Sequence, residues 1–404
     1  MENNRGVVFL IIVASLGYFV DIYDLVIFSI VRIQSFHDIG IPEDSMRTNG
    51  EYVLNMQMGG LLLGGILWGI IGDKFGRIKV LFGSILLYSL ANIANGFVND
   101  IHSYAIIRFI AGIGLAGELG AGITLVSESM HKDKRGYGTM VIAGVGVLGA
   151  ILAFYVAEYF SWRNAYFVGG GIGLILLVLR LGTFESGLYK GVVSKKVEKG
   201  KLSMLFNSKE RSLRYLYCLL IGLPIWFVVG IFVTQAPEFG KALGATDVLS
   251  AGKGIVFTYI GISLGDIFAG LLAQLTKSRR LVVFLFQLGI IATSVWFLSS
   301  AGLTEQRFHW IAFFMGLAVG YWATFVTIAS EQFGTNLRAT VATTAPNFVR
   351  GALIPSTLLF EVFVSRYGII TSGYIMIFLL TAIAIFALSK LKESFNKDLN
   401  YLEY

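Results

Sequence analysis

Charge is scarce in this chain: only 14% of its 404 residues are Asp, Glu, Lys or Arg, while 55% are hydrophobic. Soluble domains carry roughly 25% charge, so a soluble globular fold of this length is excluded. There is one cysteine, Cys218, so no intramolecular disulfide can form. The four histidines, His37, His102, His131 and His309, are scattered in loops or at segment ends. They have no metal-ligand spacing, and neither metal nor cofactor is expected. No Walker sequence is present, which excludes ATP as the direct energy source, and no lipidation box is found. "GIGLAG" from Gly112 fits G-x-G-x-x-G but follows no strand and lies within an apolar segment. The dinucleotide reading therefore fails. Those glycines are expected to bring their helix close to a neighbour.

What the chain does have is apolar residues in long blocks. About twelve segments are long enough to cross a bilayer. They run at 7–31, 51–71, 78–98, 103–127, 137–158, 164–182, 213–234, 252–275, 281–301, 309–330, 339–364 and 368–389. Only helices satisfy their own backbone in lipid at such lengths, so an all-α membrane protein is expected. The first block is too long for a signal peptide and contains two aspartates, and it reads as a retained helix. Net charge is +7. Most Lys and Arg fall in alternate loops, among them "GDKFGRIK", "HKDKRG" and "KSRR", which argues against nucleic acid. The positive-inside rule then places both termini in the cytoplasm. A basic connection at 183–212 divides six segments (1–182) from six (213–404).

The halves repeat. Glu128 and Arg135 stand seven apart after the fourth segment, and Glu331 and Arg338 stand seven apart after the tenth. "GIIGDKFGRIK" is echoed by "GLLAQLTKSRR" at nearly the same interval. Gly69, Asp73, Lys74, Gly76 and Arg77 match G-x-x-x-D-[RK]-x-G-R, and here the chain resembles the major facilitator superfamily. "FESGLY" with Glu185, "SWRNAYF" and the two Glu–Arg pairs are similar to its sugar-porter and metabolite:proton symporter branch. The resemblance implies twelve helices in two six-helix halves, with a substrate site between halves near the midplane. It implies a secondary carrier of a small molecule, not an enzyme. Departures narrow it. The seventh segment lacks the paired glutamines of sugar porters and keeps only Gln235, near its outer end. The fifth lacks the proline motif of drug exporters.

Charges inside the apolar blocks are the candidates for function, because each is costly there. Asp21 and Asp24 share one helix face. Asp24 and Arg108 lie at similar depth, at 1.5 Å per residue, and are expected to pair. The resemblance agrees, since sugar porters have an aspartate in the first helix and R-x-x-x-G in the fourth. Asp21 and Glu118 sit deeper, without an obvious cation, and are expected to bind and release a proton. Arg350, twelve residues into the eleventh segment, cannot discard its charge and needs an anion. Glu361, a carboxylate from the other half, or the substrate could supply it; the substrate is the expectation. Asn347, Tyr321, Trp322 and Thr324 are expected to line the same cavity. Pro346 and Pro355 are expected to loosen that helix.

The loop residues Asp73, Arg77, Glu128, Arg135, Glu185, Glu331 and Arg338 fall at the cytoplasmic face and read as charge pairs that bias two states of a carrier. Proton-coupled symport of a small anionic or polar metabolite is the resulting expectation, by a monomer in a bacterial inner membrane. Sugar transport, proton-driven metabolite or siderophore export, and a receptor that moves nothing remain open.

Overall fold

A computed structural model describes residues 4–75, 77–118, 135–185, 202–395 and 403. It divides into two compact units, Met1–Gly200 and Lys201–Tyr404. Every regular element described is a helix. Eight stretches among the described residues are long and apolar enough to cross a membrane, and three shorter apolar helices accompany them.

The first unit holds α1 (Asn4–Asp38), α2 (Met46–Phe75), α3 (Arg77–Asn95), α4 (Ile101–Leu115), α5 (Arg135–Tyr159) and α6 (Trp162–Glu185). α1 packs along α5 and α6, and α2 along α4. The glycine run of α4 serves close packing. A Cβ on Gly112 would collide with the main-chain O of Gln57, and one on Gly60 with that of Phe109.

The second unit repeats this device. It contains α7 (Lys209–Leu220), α8 (Leu223–Phe227, continued by a π-turn over Val228–Val233), α9 (Ala236–Ala242) and α10 (Ala251–Thr276). Then follow α11 (Arg279–Ser299), α12 (Glu305–Val319), α13 (Trp322–Glu331), α14 (Thr335–Gly351) and α15 (Leu353–Lys390). α10 packs on α12, and a Cβ on Gly316 would collide with the main-chain O of Thr258. Backbone cannot yield there as a side-chain tip can. Gly112→Ala and Gly316→Ala should each cost about 1–3 kcal/mol, the usual penalty of overpacking. Thermal unfolding of the purified variants would show it as a lowered Tm.

Three breaks in the helices of this unit fall where proline chemistry requires them. A proline ring clashes with the carbonyl four residues before it and supplies no N–H. α7 ends at Leu220, four before Pro224; the π-turn ends at Val233, four before Pro237; α14 ends at Gly351, four before Pro355. Pro355 thus marks a break, whereas Pro346 lies within α14. The last two apolar segments are separated by a kink within α15 at Gly368, whose φ of 75° suits glycine.

Candidate functional site

In the first unit the acids meet two arginines. Asp21 and Asp24 are 1% and 0% exposed, one turn apart on α1. Arg108 of α4 reaches α1 at the depth its sequence position gave. Its Nη2 donates to the main-chain O of Asp24 at 2.9 Å, and its Nη1 to Asn92 Oδ1 at 2.8 Å. Tyr166 lies under the guanidinium, 5.4 Å from carbon to ring centre. Of the expected Asp24–Arg108 pairing, the structure shows the charge interaction but no close ion-pair contact among the described residues. Equal depth brought the two residues within electrostatic reach of each other, with the direct bond made to the Asp24 main chain.

Glu118 is also corrected. It was expected to lack a cation, yet Arg180 of α6 binds it through both terminal nitrogens, with Nη1 3.0 Å from Oε2. Both residues are buried. The pair fits because Gly17 of α1 has no side chain; a Cβ there would strike both partners. Glu118 is therefore held by a full-time partner. Around the middle of α1, three buried acids (Asp21, Asp24, Glu118) stand against two buried arginines (Arg108, Arg180). One proton would balance them.

In the second unit Arg350 occupies the last turn of α14, where the helix carbonyls favour a cation. It is 1% exposed. Its guanidinium carbon lies 5.2 Å from the ring centre of Trp226 and 5.5 Å from that of Trp322. The two indoles meet edge to face, with centres 5.9 Å apart. Neither Nε nor Nη1 of Arg350 has a hydrogen-bond acceptor, and Trp226 Nε1 has none either. No acid among the described residues ion-pairs with Arg350, so Glu361 does not. A cation can stay buried here because the indole faces offset part of its desolvation.

The helix breaks hold this corner in place. Ile221 O, freed at the end of α7, accepts Tyr321 Oη at 2.7 Å and Gln287 Nε2 at 3.2 Å. Gln287 also donates to Tyr321 Oη at 2.8 Å. Trp226 follows the break after α7, and Trp322 the break between α12 and α13, so the Tyr321 tie fixes both. Tyr321 was expected to face a cavity; it is fully buried and its hydroxyl is committed to this tie. Asn347 likewise donates to Thr343 O, one turn back, at 3.3 Å. Thr324 is buried in α13, and Gln235 is buried at the start of α9. The second unit also holds a buried carboxylate, Asp266 of α10. Its Oδ1 accepts the Ala323 N–H at 2.8 Å, capping α13, because Tyr321 at the cap position cannot.

Of the loop residues, Gly69 lies in α2 with open space where a Cβ would stand. Gly76 and Glu128, and the side chains of Asp73, Lys74, Arg77, Arg135 and Glu185, lie outside the described residues. Glu331 ion-pairs with Arg279 at 2.9 Å, a partner the sequence spacing did not suggest, while Arg338 is within electrostatic reach. Glu393 caps α11, accepting from Ser278 Oγ and the N–H groups of Arg279 and Arg280. Burial alone would raise its pKa, but the bonds from Ser278 and the backbone N–H groups hold it below the ordinary glutamate value. A depressed acid stabilises the fold above its unfolded pKa and loses that contribution as pH falls through the folded value. The Tm advantage of the native chain over Glu393→Gln should therefore be full above about pH 5 and vanish in stronger acid.

These two units of glycine-packed helices, one rich in buried acids and one in broken helices around the buried Arg350, define a membrane carrier. The chain belongs to the major facilitator superfamily, whose family model, described as Major Facilitator Superfamily, matches residues 10–353. The niacin transporter NiaP of Acinetobacter baylyi (strain ATCC 33305 / BD413 / ADP1) is 24% identical over 372 residues, covering 81% of this chain and 80% of its own. The cis,cis-muconate transport protein of the same organism is 25% identical over 385 residues, covering 90% and 89%. The solved proton:xylose symporter XylE, bound to 6-bromo-6-deoxy-D-glucose, shares the fold with a TM-score of 0.69 over 98% of each chain, at 16% identity. The protein is an integral membrane transporter and not an enzyme.

Proposed function

We propose that this chain is a proton-coupled symporter that takes up a small organic anion by alternating access. The observation that carries the reading is Arg350: a buried guanidinium with open donors and no acid beside it among the described residues. A cation that cannot be neutralised waits there for an anion. Relatives named for niacin and for cis,cis-muconate, both small carboxylic acids, support an acid over a sugar. So does the absence of the paired glutamines of sugar porters.

The proton belongs to the first unit. Asp24, fully buried and in no close ion pair among the described residues, is the carrier this reading assigns, with Asp21 one turn away as its neighbour. Glu118 is a structural partner of Arg180 and leaves the proton path. The alternate-loop distribution of Lys and Arg supports both termini in the cytoplasm, and the bacterial relatives support a bacterial plasma membrane. A monomer suffices, since each unit carries its own charged cluster.

The test begins with a thermal-shift screen of the purified protein against organic acids, amino acids, phosphate and sugars, since a binder stabilises the native state by mass action. The stabilising compound is then offered to proteoliposomes. An acid should emerge, and its uptake should speed up with an inward proton gradient. A sugar as sole binder, or uptake indifferent to the gradient, would refute the reading.

A further inference from the structure

The cluster around Arg350 contains more than a charge. Trp226 and Trp322 come from two different helices, each placed immediately after a break, and they form a right-angled corner about one guanidinium. Trp226 is buried, Trp322 is half-buried, and Phe325 extends the wall, its ring centre 5.2 Å from that of Trp322. Three donor nitrogens in this corner, Nε and Nη1 of Arg350 and Nε1 of Trp226, have no acceptor among the described residues. A buried donor without an acceptor is costly, and native structures retain few of them. Three in one place call for a ligand with closely spaced acceptors.

We infer that this corner selects planar, conjugated carboxylates, the carboxylate taken by Arg350 and the π-system laid against Trp226 and Trp322. The inference rests on the proposed role of Arg350 as anion anchor and adds the class of substrate. Two oxygens on one carbon match the planar guanidinium fork. A carboxylate docked there must leave its carbon skeleton beside the indoles. Flat sp² carbons can lie against an indole face or meet its edge, and such aromatic pairs gain beyond the area they bury. A puckered saturated skeleton of the same size buries comparable area but has no quadrupole to match. The indoles also gain from the other side: with the carboxylate bound, the guanidinium keeps its place over their faces as part of a neutral stack. Trp226 is thereby a specificity residue, and Tyr321 and Asp266 are positioning residues that act through the two tryptophans.

The experiment uses two matched pairs of acids, benzoate against cyclohexanecarboxylate and sorbate against hexanoate, titrated by calorimetry into the full-length protein in detergent. Each planar acid should bind about tenfold more tightly than its saturated partner. Trp226→Leu, which keeps an apolar side chain, should bring both ratios to within about threefold, and Trp226→Phe should restore them. Thermal unfolding confirms that each variant is folded. Equal affinities within both pairs, ratios unchanged in Trp226→Leu, or no binding of either planar acid would overturn the inference. If the pairs bind equally and Arg350→Gln loses all four acids, the anion anchor stands and the π-selection alone fails. If Arg350→Gln binds all four as before, the anchor fails with it.

Discussion

Arg350→Gln is expected to weaken binding of the transported anion about a hundredfold, and Arg350→Lys about tenfold. Hydrogen bonds to a charged group are worth about 1.5–3 kcal/mol each in net terms, and glutamine removes both the charge and the fork. Lysine keeps the charge but concentrates it on one nitrogen and cannot donate in a plane. Neither variant should unfold the protein. No acid among the described residues is left unpaired by the change, and Arg350 itself is the costly group in the apo state. Titration of the folded variants with the acid found by screening is the measurement. Equal affinity in all three proteins would remove Arg350 from the binding site.

The second large effect is expected at Asp24. Asp24→Asn keeps the shape of the side chain and removes the proton. Counterflow, which exchanges labelled for unlabelled substrate and needs no net proton release, should persist within a few-fold of the native rate. Accumulation driven by a proton gradient should fall at least about tenfold, since one coupled proton is the whole link between gradient and substrate. Arg108 keeps its contacts to Asn92 and to the Asp24 main chain, so the fold should survive. Asp21→Asn is the control on the same helix face. If it uncouples transport while Asp24→Asn does not, the two aspartates exchange roles.

The membrane spans, the two halves and the charged candidates could be read from the sequence because each rests on a strong local signal. A carboxylate in an apolar run, such as Asp24, or an arginine such as Arg350, stands out whatever surrounds it. Partners could not be read in the same way. Rise per residue gives depth along a helix, and it correctly brought Arg108 to the level of Asp24. Direction around the helix depends on packing, and the direct bond goes to the Asp24 main chain, which depth alone does not foretell. Arg180 falls near the end of its apolar segment and reads as an interfacial charge, yet α6 runs on to Glu185 and keeps it buried against Glu118. Trp226 carries no signal at all: a tryptophan in an apolar helix reads as packing until an arginine is found over its face. Asp266 carries the same signal as Asp21, a carboxylate within an apolar run. The breaks were half legible, since Pro224 and Pro237 mark where α7 and the π-turn end, but the break before Trp322 has no proline. It is set by tertiary contacts, with Gly320 against Gly265 and Asp266 capping the next turn.

Proton movement driven by the substrate reports coupling itself. Proteoliposomes are prepared with equal pH on both sides and no membrane potential, and the stabilising acid is added outside at a pH where it is fully ionised. The external medium should turn alkaline as substrate enters, the change should vanish with a protonophore, and Asp24→Asn vesicles should show none of it. Substrate entry at the native rate with no change in external pH would contradict the account.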